Sequence, residues 1–330
     1  MTWLIFAASS ALLVLAATQL AKYGDAIATR TGLGRLFIGT LLLAGATSLP
    51  ELLTSINALG QGVPDLAAGN FMGSNMFNMF LLGVLDLLGR QARILRQVAT
   101  RHALSAGLAT LLIGMAVFFL LADVPLRIGW VGVDSLLIVA AYIVGLRLIR
   151  ANSLPAGDIQ PASAAELESV PSLLQALIGF GAATALLVVV SPWLVYSSKE
   201  IADITGLSAG FIGTSLVGVV TSLPEVATSI AAVRLGAYDL AVGNLFGSNA
   251  FNMFALSLTD VFYTRGRLFA VIAPEFALAG LLGLLLTSMG LIGNLARVER
   301  RLIFVEVDAL LIMMVYAAGM WFLYQRGVGV

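Results

Sequence analysis

Ten apolar runs divide the chain, each close to the roughly 20 residues that carry a helix across a bilayer core. They cover about 3–22, 36–59, 66–88, 103–122, 128–149, 172–196, 209–233, 240–262, 268–290 and 302–324. The pattern predicts ten transmembrane helices and an all-α polytopic membrane fold. One polar segment, 151–170, breaks the series with Asn152, Pro155, Gly157, Asp158, Pro161, Glu166 and Glu168. It predicts a linker between a first half, 1–150, and a second, 171–330. The first run starts at Trp3 with no basic segment before it and no small-residue cleavage pattern after it. It reads as a helix that stays, not as a secretory signal.

The halves are copies. A shift of 174 residues lays Thr31–Leu82 on Thr205–Leu256 with about 31 identities in about 52 positions, far more than a shared apolar bias yields. Fainter matches continue at the same offset: Val133-Asp134 recurs as Val307-Asp308, and Leu136-Leu137-Ile138 as Leu310-Leu311-Ile312. The duplicated unit is therefore five helices, and an odd number forces the second copy to insert upside down. The expected architecture is a five-plus-five inverted repeat. The basic residues agree. The odd-numbered loops hold thirteen Lys and Arg, the even loops and the tail five. The excess places the odd loops and the 151–170 linker in the cytoplasm and both termini outside.

Composition narrows the function. Apolar residues make up 59% of the chain, charged residues 11%, and mean hydropathy is +0.99. A soluble fold cannot bury that much apolar surface. Net charge is zero, so no nucleic-acid partner is implied. Without cysteine there are neither disulfides nor thiolate metal sites.

The most closely repeated stretch is also the most polar one inside the apolar runs. The first copy reads Thr47-Ser48-Leu49-Pro50-Glu51, then Gly69-Asn70, then Gly73-Ser74-Asn75-Met76-Phe77-Asn78. The second reads Thr221-Ser222-Leu223-Pro224-Glu225, then Gly243-Asn244, then Gly247-Ser248-Asn249-Ala250-Phe251-Asn252. Glu51 and Glu225 fall near the middle of their runs, where a carboxylate costs on the order of 2.5–3.5 kcal/mol. No Lys or Arg lies at matching depth, so cations are the natural counter-charge. Thr47 and Glu51 are i and i+4, as are Ser74 and Asn78, so each pair shares a helix face. Pro50 removes the donor for the Ala46 carbonyl and Pro224 the donor for Val220, which predicts bends. Glycines 69, 73, 243 and 247 predict breaks in the third and eighth helices. Helices 2, 3, 7 and 8 are thus all expected to be broken, the usual mark of an ion site between inverted halves. Carboxylates, hydroxyls, amide oxygens and freed carbonyls form an all-oxygen set suited to hard cations.

These blocks resemble the α-repeats of the sodium/calcium exchanger family, within the cation/calcium antiporter superfamily. The motifs span about 39–82 and about 213–256, and the short chain is similar to prokaryotic members. The resemblance implies exchange of several Na⁺ for one Ca²⁺ by alternating access, with helices one and six sliding against the other eight. Carried over by position, Glu51 and Glu225 would ligate both ions. Thr47, Ser48, Ser74, Thr221, Ser222 and Ser248 would offer oxygens, mainly to Na⁺. Backbone carbonyls around Ala44 and Gly218 would complete the sodium sites, and Asn78 and Asn252 would line the cavity. Some relatives carry Asp where this chain has Asn252, which argues against potassium dependence and leaves two central carboxylates. No resident cofactor is implied. The partners are the transported ions and membrane lipid, and a monomer suffices for transport. The expected location is the plasma membrane, the inner one in a Gram-negative cell.

Three rivals stand beside this reading. A calcium/proton antiporter could use the same two glutamates, although a proton needs no cage of Ser and Thr oxygens. A channel fits poorly with two inverted halves meeting at one site. An intramembrane enzyme would need a zinc motif or a Ser–His arrangement, and the chain has neither. Elsewhere, Asp65 and Asp239 are expected to cap helices, and Asp134, Glu275, Glu306 and Asp308 to pair with arginines. His102 is expected at the surface, and Arg90–Arg101 to anchor the cytoplasmic face.

Overall fold

The computed structural model of the protein describes residues 1–31, 44–88, 99–152, 170–295, 301–302 and 305–328. The beginning of the 36–59 run, the first residues of the 39–82 motif, nearly all of the 151–170 linker and most of Arg90–Arg101 lie outside the described residues.

The first half contains α1 (Thr2–Thr31), a helical turn at 44–47, α2 (Leu49–Gly60), α3 (Pro64–Leu88), α4 (Ala99–Ala122) and α5 (Val133–Asn152). The second half contains α6 (Leu173–Thr205), α7 (Ala209–Ile212), a π-helical stretch Gly213–Val217, α8 (Gly218–Thr221) and α9 (Leu223–Arg234). It continues with α10 (Tyr238–Thr259), α11 (Phe276–Leu295) and α12 (Val307–Arg326). Two short antiparallel hairpins precede α5 and α12: β1 (Arg127–Ile128) with β2 (Val131–Gly132), and β3 (Arg301–Leu302) with β4 (Val305–Glu306). The fold is therefore nearly, rather than wholly, helical. The hairpins take up the first residues of the 128–149 and 302–324 runs, because Gly129, at φ +65°, reverses the first of them. Elements in the two halves recur at the offset of 174: α2 and α9 begin at 49 and 223, α5 and α12 at 133 and 307.

Among the described residues, six helices are long and apolar enough to cross a membrane. They span Thr2–Thr31, His102–Ala122, Leu173–Thr205, Ala209–Arg234, Phe276–Gly293 and Val307–Arg326. α3 and α10, of 25 and 22 residues, are long enough but spend apolar positions on inward Asn and Ser. Those polar side chains are buried while Leu4, Leu15, Leu174 and Val189 are exposed, so the molecule is polar at its centre and apolar at its rim. Hydroxyls within the long outer helices bond back to their own turn. Ser9 Oγ donates to Ile5 O at 2.7 Å, and Ser198 Oγ to Leu194 O at 2.7 Å, so neither is left unsatisfied in an apolar setting.

α1 and α6 pack mainly along each other, while α4, α10, α11 and α3 form the remaining body. α6 starts with a Ser172/Gln175 capping box and ends at Gly206, whose φ of 70° closes it. Pro192 lies inside it, next to a polar contact with α2: Gln61 Nε2 donates to Pro192 O at 3.1 Å, and Asn57 Nδ2 to Ser191 Oγ at 3.0 Å.

The expected breaks in the third and eighth helices are not observed: α3 and α10 run continuously past Gly69, Gly73, Gly243 and Gly247. For α3 the reason is close approach. A Cβ on Gly69 would strike the Gly210 carbonyl oxygen, and one on Gly73 the Thr214 carbonyl oxygen. The glycines bring α3 onto the α7–α8 backbone instead of breaking it.

Two other expectations change. His102 is 8% exposed, with Nε2 3.4 Å from Asp239 Oδ1, because α10 packs over the start of α4. Asp65 reaches across the fold, where its Oδ1 accepts from Ala273 N at 2.9 Å. Asp134 does meet an arginine. Its Oδ2 lies 3.5 Å from Arg267 Nη1, and Arg267 Nη2 also donates to Asp123 Oδ1 at 2.7 Å. Asp134 is fully buried and the Arg267 side chain is 11% exposed, so the pair is shielded. Arg267→Ala should cost about 3 kcal/mol by leaving a buried carboxylate without its cation. Thermal unfolding in detergent checks this, and an unchanged midpoint would show that the pair contributes nothing.

A candidate cation site between the duplicated motifs

The site begins with two helix interruptions. The turn at 44–47 ends at Ser48 (φ −91°, ψ 5°), and α2 restarts at Leu49 with Pro50 in its first turn. α8 ends at Ser222 (φ −86°, ψ 2°), and α9 restarts at Leu223 with Pro224. Proline suits a first turn because its missing N–H would have no partner there. Glu51 and Glu225 each follow directly, at the positive end of a helix.

The two carboxylates hold mirrored partners. Glu51 Oε1 accepts from Ser74 Oγ at 3.3 Å and Ser222 Oγ at 3.2 Å. Glu225 Oε1 accepts from Ser248 Oγ at 3.2 Å and Ser48 Oγ at 3.1 Å. Each glutamate thus takes one serine from its own half and one from the other. Thr221 Oγ1 lies 3.4 Å from Ser74 Oγ, and Thr47 Oγ1 lies 3.5 Å from Ser248 Oγ. The Ala44 carbonyl accepts from Thr47 Oγ1 at 3.2 Å, and the Gly218 carbonyl from Ser74 Oγ at 3.2 Å. Every side chain in this network is fully buried.

A second layer lies one helical turn along α3 and α10. Asn78 Nδ2 donates to Asn249 Oδ1 at 3.0 Å, and Asn252 Nδ2 to Asn75 Oδ1 at 3.0 Å. The twelve positions singled out from the sequence therefore fall into two adjoining layers. The eight Thr, Ser and Glu side chains form the first with the carbonyls of Ala44 and Gly218, and Asn78 and Asn252 belong to the second.

What the layers leave open is acceptor capacity. Glu51 Oε2, Glu225 Oε2, Asn78 Oδ1 and Asn252 Oδ1 are buried with no hydrogen-bond partner among the described residues. A buried unsatisfied oxygen costs about 1–3 kcal/mol, more when charged. No group of three or more His, Cys, Asp or Glu able to hold a metal occurs among the described residues. The chemistry is two carboxylates with neutral oxygens, a donor set suited to a hard cation.

Several residues escaped the sequence reading. Asn70 Oδ1 accepts from Thr221 Oγ1 at 2.9 Å while its Nδ2 donates to Glu51 O and to Ser55 Oγ, both at 3.1 Å. Asn244 makes the mirrored contacts, to Thr47 and Ser229. Both asparagines recur in the duplication, so that signal was present. Thr287 on α11 lies 3.4 Å from Asn249 Nδ2 and has no such signal, since Ile113 stands at its repeat position.

Comparison with known proteins fits this geometry. The putative antiporter CaxA of Alkalimonas amylolytica is 30% identical over 295 residues, 88% of this chain and 90% of that protein. Two solved structures share the fold. The sodium-calcium exchanger NCX_Mj matches with a TM-score of 0.61 at 21% identity, over 97% of this chain and 99% of that one. The H⁺/Ca²⁺ exchanger CAX matches with 0.65 at 14% identity, over 99% and 89%. The family described as sodium/calcium exchanger protein matches residues 1–149 and 175–325, the two stretches that carry the paired motifs. With most of both halves matched, the chain belongs to the sodium/calcium exchanger family.

Proposed function

We propose that the protein is a secondary active antiporter that exchanges Na⁺ for Ca²⁺ by alternating access. The observation that carries this is the set of four unpartnered buried oxygens on Glu51, Glu225, Asn78 and Asn252, beside a cage of six Ser and Thr hydroxyls. The glutamates would ligate both ions, and Thr47, Ser48, Ser74, Thr221, Ser222 and Ser248 would serve mainly Na⁺. The carbonyls of Ala44 and Gly218 complete the sodium sites in this reading. Ions that share oxygens exclude each other, which gives exchange instead of leak. As a transporter the protein performs no covalent chemistry.

The architecture that goes with this is a five-plus-five inverted repeat, 1–150 and 171–330, joined by a cytoplasmic linker at 151–170. It lies in the plasma membrane with both termini outside. Recurrence of whole elements at one offset supports the repeat, and the distribution of Lys and Arg supports the orientation. A monomer contains the complete site.

Two carboxylates balance one Ca²⁺, whereas three Na⁺ leave one positive charge. Each cycle would then move net charge and couple to voltage at about 2.3 kcal/mol per 100 mV. The test is ⁴⁵Ca²⁺ uptake into Na⁺-loaded proteoliposomes with pH equal on both sides. Uptake should require the outward Na⁺ gradient. Because Na⁺ exit carries the excess positive charge outward, an inside-positive potential should speed it. Equal rates at all imposed potentials would remove the three-to-one cycle. A second reading, Ca²⁺/H⁺ exchange, draws on the likeness to CAX, and on Glu51 Oε2 and Glu225 Oε2, each free to take a proton. Uptake that ignores Na⁺ and follows a pH gradient would establish it.

A further inference from the structure

The two asparagine pairs of the second layer look equivalent, since the 174-residue shift maps one onto the other. Their surroundings are not. Asn249 Nδ2 donates to the Asn75 backbone carbonyl at 3.2 Å and to Thr287 Oγ1 at 3.4 Å. A carbonyl oxygen can only accept, so the nitrogen end of the Asn249 amide is committed to that side. Its oxygen must then face Asn78, and Asn78 must answer with its own nitrogen, as observed at 3.0 Å. The Asn78 oxygen is left turned away from this bond, fully buried and without a partner. It lies on the face of α3 that carries Ser74, one turn away, and Ser74 touches Glu51.

The other pair lacks this constraint. Asn252 Nδ2 donates to Asn75 Oδ1 at 3.0 Å, but Asn75 Nδ2 has no partner among the described residues. The position matching Thr287 is Ile113, fully buried and unable to hydrogen-bond. If both amides of this pair turn over together, one N–H···O bond replaces another and none is lost. The group that Asn252 shows to the interior would change from an acceptor to a donor.

We propose that Thr287 and Asn249 are positioning residues that lock the Asn78 oxygen toward the transported cation, while the Asn75–Asn252 pair remains reversible. The pseudo-symmetric site is thereby unequal: Asn78 is a standing ligand, and Asn252 is one only while its amide keeps the observed orientation, which a concerted turn with Asn75 would reverse. This rests on the cation-exchange reading above. It goes further by assigning roles to Asn249, Thr287 and Ile113.

The test is Ca²⁺ binding by the purified full-length protein, read by titration calorimetry. Thr287→Val keeps the side chain's shape and removes its hydroxyl. It should weaken binding about threefold, the size of one weak neutral hydrogen bond. Thr287→Ser, which restores the hydroxyl, should bind as the wild type does. Asn249→Ala, which frees Asn78 entirely, should weaken binding about tenfold. The decisive step is a pair of mutant cycles. In an Asn78→Ala background Thr287→Val should have no further effect, and in an Asn252→Ala background its effect should persist. Ile113→Thr should supply the missing anchor to Asn75 and tighten binding. An undiminished effect of Thr287→Val without Asn78, or equal loss from Thr287→Ser and Thr287→Val, would overturn the assignment. Failure of the wild type to bind Ca²⁺ would instead overturn the exchange reading, and this one with it.

Discussion

Replacing Glu51 or Glu225 by glutamine should abolish calcium uptake and, at the same time, raise the stability of the ion-free protein. Glutamine keeps the shape and still presents an oxygen to Ser74 and Ser222, or to Ser248 and Ser48. What it removes is one of two negative charges among otherwise neutral oxygens. For a divalent cargo the loss should exceed about 100-fold in uptake, or roughly 2.7 kcal/mol at 1.36 kcal/mol per tenfold. The stability change has the opposite sign. Each carboxylate is wholly buried with one oxygen unpartnered, and the other carboxylate is a like charge held in the same buried network. Neutralising one should stabilise the ion-free protein by on the order of 1–3 kcal/mol. The two effects belong together, because a site that waits for a cation holds charge that nothing else balances. Uptake in proteoliposomes and thermal unfolding in chelator measure the pair. A mutant that unfolds earlier than the wild type would mean that the carboxylates serve mainly to tie helices together.

The central layer was legible because the sequence states it twice. Thr47, Ser48, Glu51 and Ser74 recur as Thr221, Ser222, Glu225 and Ser248, and a carboxylate repeated inside two apolar runs has few bland uses. Helix bounds were less legible. α1 extends to Thr31 and α6 to Thr205, well past the apolar runs, because a helix continues through Lys22 or Lys199 once its ends reach water. α11 starts at Phe276, later than its run, because the Leu268–Ala270 turn and Pro274 precede it.

What the sequence withheld were contacts between elements with no shared periodicity. Thr287 bonds to Asn249 from a helix that carries no motif, and its repeat position holds Ile113, so duplication could not mark it. His102 and Asp239 meet because α10 crosses the start of α4, a fact of packing that neither residue's neighbours encode. Asp65 begins its helix as a cap would, yet it satisfies Ala273 N, a backbone donor 208 positions away. Local rules supply what a side chain can do, and the crossing of helices decides with whom.

The glycines of α3 show the same ambiguity and give the second large expectation. In an apolar helix, glycine reads equally as a break or as a place where two backbones touch. The continuous course of α3 settles it in favour of touching. Gly73 meets Thr214 across the crossing with the π-helical stretch, and on the other side a Cβ on Gly213 would lie 2.5 Å from the Leu66 carbonyl oxygen. A Cβ on Gly218 would be nearly as close, 3.0 Å from Ser74 N. A methyl at Gly73 would strike a carbonyl, and backbone cannot rotate away as a side chain can. α3 would have to move off, drawing Ser74 and its bond to the Gly218 carbonyl with it. Gly73→Ala should therefore lower stability by roughly 3 kcal/mol, at the upper end for overpacking, and remove transport altogether. Gly107→Ala is the matched control. It also lies within a helix, α4, but a Cβ there meets nothing within 4 Å. It should be neutral or slightly stabilising, since alanine loses less backbone freedom than glycine. Thermal unfolding of both variants in detergent separates a crossing from a helix-propensity effect. Equal shifts would mean that the α3 glycines matter only as weak helix formers, and that the backbone contact at the candidate site is not what holds Ser74 beside Glu51.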